Sequence, residues 1–254
     1  MTAHRSEFHS HFLHEAGLPL QAAIPIADLP SELHAQLLQA CPPAKQFRQL
    51  LLIANAGPRF WQAAQDYWRQ KQNVDSEYPL PAPEHPLDQF ARHLAEQLMQ
   101  EEIGKGIEYE VLYPGAFSIN LQSLGQLLGW HTISPLMIGI HRQFGLWSAY
   151  RILMLANTDF ASSLPKAGNT DAARVEAPCD SCRQRGCVQA CPAQAIDEMG
   201  FHLAPCLEYR QRSDSLCRDT CVARLACPVG SEHRYSTEQI AYHYSQSLRM
   251  LGKV

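Results

Sequence analysis

Eight of the nine cysteines in this 254-residue chain lie between positions 179 and 227, in two blocks that each end in Cys-Pro. The first block is Cys179, Cys182, Cys187 and Cys191, followed by Pro192. The second is Cys206, Cys217, Cys221 and Cys227, followed by Pro228. Iron–sulfur clusters take four thiolates each, so eight thiolates match two [4Fe–4S] cubanes. Three close thiolates wrap one face of a cubane, and the cysteine before proline turns away to the other cluster. By this crossover rule Cys179, Cys182, Cys187 and Cys227 hold one cluster. Cys191, Cys206, Cys217 and Cys221 hold the other. The first block reads C-x2-C-x4-C-x3-C-P, longer by two residues than the usual C-x2-C-x2-C-x3-C-P. Gly186 is expected to supply the turn that absorbs them.

Three other readings of the thiols stand beside this one. A disulfide framework suits a short secreted chain rather than one of this size. Structural zinc usually shows paired C-x2-C units. A single cluster with spare thiols would leave the looser second block partly unused. Cys41, alone in Gln-Ala-Cys-Pro-Pro, is expected to be a buried or loop thiol.

The chain is long enough for one large domain or a domain plus a small module, and 46% apolar residues support a core. A net charge of −4 offers no global basic field, so no nucleic-acid partner is expected. The longest apolar runs, such as 50–54, are far too short to span a bilayer, and the N-terminal stretch lacks an apolar signal core. No membrane association and a cytoplasmic location are expected.

Elements of both kinds interleave, which predicts an α+β class. Residues 1–40 read as helix and loop, with Ser31 starting a helix. Residues 49–54 read as a buried strand and 59–69 as a helix. The proline-rich stretch 73–86 reads as a loop, and Pro86 opens a helix to about Glu102. Residues 107–112 alternate as a strand, and 121–128 form a helix ended by Gly129. Residues 136–140 and 147–155 are expected to pair as a hairpin. Ser236 caps a closing helix over 238–251. The chain shows neither G-x-G-x-x-G nor a Walker loop. The D-x-H-x-x-G pattern of one class of cobalamin-binding domain is also missing.

Residues 128–151 read LGWHTISPLMIGIHRQFGLWSAYR. This segment resembles the central segment of cobalamin-dependent reductases, the epoxyqueuosine reductases and reductive dehalogenases, in which it precedes a two-cluster ferredoxin module. Cys206-Leu-Glu-Tyr209 is similar to the cysteine-led segment that follows the first Cys-Pro in epoxyqueuosine reductase. Ile140–Arg151, His85–Gln89, Tyr109–Val111 and Arg234–Tyr242 are similar to segments of the cobalamin-processing protein of the human cobalamin-C disorder. That relative lacks the iron–sulfur module. The resemblance implies a nitroreductase-like body over 1–160, a linker over 161–178, a ferredoxin-like module over 179–230, and a C-terminal helix over 231–254 that packs on the body. It also implies a corrinoid or, in some relatives, a flavin. Trp130, His141, Phe144, Trp147, Arg151 and Arg234 are the implied cofactor-binding residues, and Arg151 and Arg234 match positions that contribute to thiol-substrate binding.

The chain also departs from the pattern. Epoxyqueuosine reductase carries an acidic proton donor shortly before the Gly-Trp pair, but residues 113–118 hold no carboxylate here. Its Gly-Lys pair is replaced by His131-Thr132. Tyr113 and His141 are the candidate catalytic residues, with a packed Tyr113 and a hydrogen-bonded structural His141 as the stronger readings. The basic residues near the cysteines (Arg183, Arg185, Arg210, Arg212, Arg218, Arg224) read as an offset to negative clusters, as a dock for a ferredoxin or flavodoxin donor, or as solvated surface. The expected function is an iron–sulfur oxidoreductase that passes electrons through two clusters to a corrinoid, with a small-molecule substrate or the corrinoid itself as ligand. Its rivals are a ferredoxin-like carrier without corrinoid, a flavin-binding nitroreductase-type enzyme, and a non-enzymatic cobalamin chaperone.

Overall fold

A computed structural model describes residues 5–72, 84–117, 119–165, 177–197 and 200–251. The chain forms two compact units, residues 1–128 with 149–167, and residues 129–148 with 168–254. Residues 129–148 and 231–254 group with the cysteine segment.

The first unit is built on a sheet of order β1-β2-β6-β3, with β1 Leu20–Pro25, β2 Gln49–Ala56, β3 Tyr109–Tyr113 and β6 Ser148–Ala156. β1 and β2 pair antiparallel, as do β3 and β6, the latter with a register shift between Val111 and Tyr113. β2 is buried along seven of its eight residues, as an inner strand covered on both faces must be. Gln49, the buried polar residue that starts it, is satisfied: its Oε1 accepts from Thr158 Oγ1 at 2.8 Å and from the Phe160 amide at 3.0 Å. Helices α1 His11–Glu15, α2 Ser31–Ala40, α3 Arg59–Gln72 and α4 Pro86–Gln97 complete this unit with α5 Leu121–Leu127. α3 buries Phe60, Trp61 and Ala64, and α4 buries Leu87, Phe90, Ala91, Leu94 and Ala95. After Gln97 the helix widens to a π turn over Leu98–Ile103, where the sequence predicted continuous helix. Gly17 is a required glycine, with φ +84 and an added Cβ 2.3 Å from the Phe60 amide nitrogen.

Two expectations fail here. Residues 20–25 form a strand rather than helix or loop. The stretches 136–140 and 147–155 do not pair with each other. β5 Gly139–Ile140 pairs with β4 Thr132–Ile133, while β6 takes its place in the four-stranded sheet. A tight His141–Gly145 loop, closed by two amide hydrogen bonds of 2.8 Å, ends the pairing between them. The 73–86 loop and the 161–178 linker lie mostly outside the described residues.

The second unit adds α6 Gly186–Gln189, a small β7 Ile196–Asp197 and β8 Gly200–Phe201 pair, α7 Leu203–Gln211, α8 Val222–Leu225 and α9 Thr237–Leu251. Its apolar packing is in two clusters. Ile140 and Leu146 pack on Cys227, with Leu136, Ile138, Cys179 and Val229 around them. Trp147, Tyr235 and Ile240 form the second, with Leu225 and Tyr244 against it. Ser236 caps α9 as expected, its Oγ accepting from the Gln239 amide at 3.1 Å. Gly145 and Gly230 meet backbone to backbone. A Cβ on Gly145 would lie 1.9 Å from the Val229 carbonyl oxygen, and both glycines have positive φ. Gly145→Ala therefore combines a left-handed backbone with a clash, a cost of about 3 kcal/mol. Thermal unfolding should show a larger fall in midpoint for Gly145→Ala than for Gly129→Ala, which shares the positive φ but whose Cβ meets nothing within 4 Å.

Candidate functional site

The eight clustered thiols are unbridged, half-buried or buried, and they sort into two sets of four. Burial pushes the Cys179 thiol up to about 11, and the neighbouring Cys227, Cys187 and Cys182 add to it. Cys187 is raised by burial and then by Cys227 and Cys182, and Cys227 by burial and then by Cys182. In the other set, Cys206 is raised by burial and then by Cys221, Cys191 and Cys217, and Cys217 by burial and then by Cys221 and Cys191. No thiol of one set is felt by a thiol of the other in these interactions.

Short helices and one unusual turn hold the thiols. Arg185 takes the left-handed conformation before α6, with φ 41. The turn that absorbs the extra residues is thus made by Arg185, and Gly186 serves a different need. A Cβ on Gly186 would sit 3.2 Å from the Ala226 carbonyl oxygen, so the glycine lets α6 approach the residue before Cys227. Cys221 caps α8, its sulfur accepting from the Arg224 amide at 3.4 Å.

A cavity of about 200 Å³ lies against Cys191, Cys206, Cys217 and Cys221, walled by apolar side chains such as Leu136, Ile138 and Phe201. Arg210 and Tyr244 also line it. Arg210 is 9% exposed. Its Nε donates to the Cys217 carbonyl at 3.2 Å, and its Nη2 donates to the Tyr244 carbonyl at 3.2 Å and Ser247 Oγ at 2.9 Å. Its guanidinium pulls the Cys206 and Cys217 thiols back down. Tyr244 hydrogen-bonds both Cys221 and Arg224, and burial pushes its hydroxyl up. No carboxylate pairs with Arg210 or Arg224 among the described residues. Of the three readings left open in sequence for Arg210, its burial excludes solvated surface.

Among the described residues, no three His, Cys, Asp or Glu side chains gather closely enough for a single metal ion. Mononuclear zinc needs four ligands at about 2.0–2.3 Å from one centre. A cubane attaches each thiolate to a different iron and so spaces them more widely. The four thiols, the cavity and the unpaired buried cations fit an anionic polynuclear group.

The other predicted residues fall in several places. Trp130, His141, Phe144, Trp147 and Arg234 belong to the second unit. Phe144 lies between two imidazoles, 4.7 Å from His141 and 4.8 Å from His233 between ring centres. His141 Nδ1 accepts from the Gln143 and Phe144 amides, which fixes the proton on Nε2 in the neutral ring. Trp147 is fully buried, with Arg224 4.5 Å and Arg234 5.7 Å above its ring. Arg234 is exposed and donates to the Leu225 carbonyl at 2.7 Å. The Trp147 indole nitrogen and both amide ends of fully buried Gln239 have no hydrogen-bond partner among the described residues.

Arg151 and Tyr113 belong to the first unit. Arg151, 7% exposed, donates from Nε to Asn55 Oδ1 at 2.7 Å and stacks 5.0 Å over Phe60. Burial raises the Tyr113 hydroxyl, Arg151 pulls it down and Asp88 raises it. Sequence reading missed Asn55, Gln239 and Tyr244, which carry no motif. Cys41 is fully buried as expected, its sulfur 3.9 Å from Glu110 Oε2.

No known family model and no curated protein matches the chain. Solved structures do. Streptococcus thermophilus epoxyqueuosine reductase matches with a TM-score of 0.50 at 13% identity, over 86% of this chain and 64% of that one. An epoxyqueuosine reductase solved with an epoxyqueuosine-modified tRNA-Tyr stem loop matches with a TM-score of 0.51 at 12% identity, over 91% and 66%. The C. elegans B12-trafficking protein CblC, a human MMACHC homologue, is similar with a TM-score of 0.45 at 14% identity, over 91% and 86%. The chain thus shares the α+β fold of epoxyqueuosine reductase, the likeness that residues 128–151 suggested, while spanning just under two thirds of those proteins' length. A member of that fold is solved with tRNA, so net charge does not exclude nucleic acid for the fold. Among the described residues no helix is long and apolar enough to cross a membrane.

Burial lowers the pKa of His141 from its usual 6.5, with His131, His233 and Arg142 lowering it further. The unfolded chain then binds the proton more readily than the folded one. The stability this contributes is present above about pH 6.5 and is lost as pH falls through the lower folded value. Unfolding free energies measured from about pH 7 to about pH 5.5 should fall more for the wild type than for His141→Asn, whose amide oxygen can still accept the two backbone bonds.

Proposed function

We propose that the chain is a cobalamin-related iron–sulfur reductase of the cytoplasm. In this reading Cys179, Cys182, Cys187 and Cys227 hold one [4Fe–4S] cluster, and Cys191, Cys206, Cys217 and Cys221 hold the second. The observation that carries it is the sorting of eight thiols into two mutually interacting quartets, one around a cavity, on the fold of epoxyqueuosine reductase. When bound, the clusters supply low-potential single electrons and the corrinoid supplies a strongly reducing cobalt centre.

The polypeptide's part is different. Ligation requires thiolates, so each raised thiol of the metal-free chain would give up its proton on binding the metal. The apolar walls around the second quartet exclude water, and Arg210 offsets its negative charge. The electron donor is a small low-potential carrier of the ferredoxin or flavodoxin class, and the reduced partner is the corrinoid or a small molecule. The lack of a carboxylate in 113–118 argues for chemistry other than queuosine reduction.

The test is anaerobic purification with iron and sulfide counts, then titration with hydroxocobalamin. About eight iron per chain and a shifted corrinoid spectrum are expected. Unchanged spectra at excess corrinoid would leave a carrier or a flavin enzyme. Cys206→Ala should lower iron to about half, and Cys41→Ala should leave it unchanged.

A further inference from the structure

The two thiol quartets have unequal surroundings. Backbone donors are nearly balanced. Cys187 accepts from its own amide and that of Val188, and Cys227 from that of Val229. Cys217 accepts from the Val222 amide, and Cys221 from the Arg224 amide. The imbalance lies in the side chains. Around the first quartet, the charged groups felt by the thiols are Arg234, which is exposed, and the exposed carboxylate Asp180. Water screens the first and the second opposes it. Around the other quartet stand buried Arg210, bonded to the Cys217 carbonyl, and the Tyr244 hydroxyl on Cys221. Arg224 extends this set through its own hydrogen bond to Tyr244.

We infer that the Cys191, Cys206, Cys217 and Cys221 centre has the higher reduction potential of the two, and that Arg210 and Tyr244 are the positioning residues that make it so. This rests on the reading that each quartet holds a [4Fe–4S] cluster. Adding an electron makes a cluster more negative. A buried guanidinium without a carboxylate and a hydroxyl donor on a ligand sulfur both stabilise that added charge, so both raise the potential. In the other centre, burial of the ligands has no such compensation. One electron from a ferredoxin- or flavodoxin-class donor, oxidised by one unit, would therefore come to rest at the Arg210 centre. The residues that hold Arg210 there, Tyr244 and Ser247, both come from α9.

The experiment is a mediated redox titration of the full, anaerobically purified chain, followed by electron paramagnetic resonance, for wild type, Arg210→Gln, Arg210→Lys and Tyr244→Phe. Cys206→Ala assigns the signals, because it should retain only the lower midpoint. Arg210→Gln and Tyr244→Phe should each move the higher midpoint downward and leave the lower one in place. Arg210→Lys, which keeps the charge, should stay near wild type. Tyr244→Phe removes a single hydroxyl and serves if Arg210→Gln does not fold. Unmoved midpoints, equal shifts of both, or a shift of the lower midpoint alone would overturn the inference in protein carrying a full iron complement. An iron count too low for two clusters in the wild type would instead overturn the reading beneath it.

Discussion

Bringing four thiols together in a half-buried site is unfavourable for the polypeptide alone. Burial and neighbouring thiols push the Cys179, Cys187, Cys206, Cys217 and Cys227 groups toward the protonated form. Cys179, pushed up to about 11 by burial and then by three neighbouring thiols, shows the size of the opposition. Only a compact positive core reverses the sign of that interaction. The rest of the second unit follows from this constraint. Its helices α6 and α8 are four residues long and bury little, so apolar packing cannot hold them in place by itself. Close backbone approaches at Gly145, Gly186 and Gly230 supply geometry that a core would supply elsewhere.

Each unit also contains a buried guanidinium with no carboxylate beside it. In the first, Arg151 has a neutral amide, Asn55, and the face of Phe60. In the second, Arg210 has two carbonyls and a hydroxyl. Neutral acceptors satisfy the N–H groups without cancelling the charge. A carboxylate would do both and leave no field for a ligand. Arginines solvated this way keep their positive charge uncancelled.

The sequence made local elements legible and pairing partners illegible. α2, α3 and α4 are announced by apolar spacing and start signals, and β2 by its continuous apolar run. β1 was hidden because two of its six residues are alanine and its last is proline, none of which favours a strand. The expected hairpin failed for a different reason. Two apolar runs beside a turn predict strands, but not which strands they pair with, and β6 finds better partners in β2 and β3. The two thiol groups were legible because ligand chemistry imposes spacing. Arg210 was not, because nothing in α7 distinguishes it from the exposed Arg212 two residues on. Its burial depends on α9, which lies far along the chain.

That dependence orders events during synthesis. All eight clustered cysteines leave the ribosome before Tyr244 and Ser247, which fasten Arg210 over its cavity. Until α9 docks, the cavity beside the second quartet lacks the Tyr244 side of its wall and Arg210 lacks two of its three acceptors, so an element far along the chain completes the surroundings of thiols made before it.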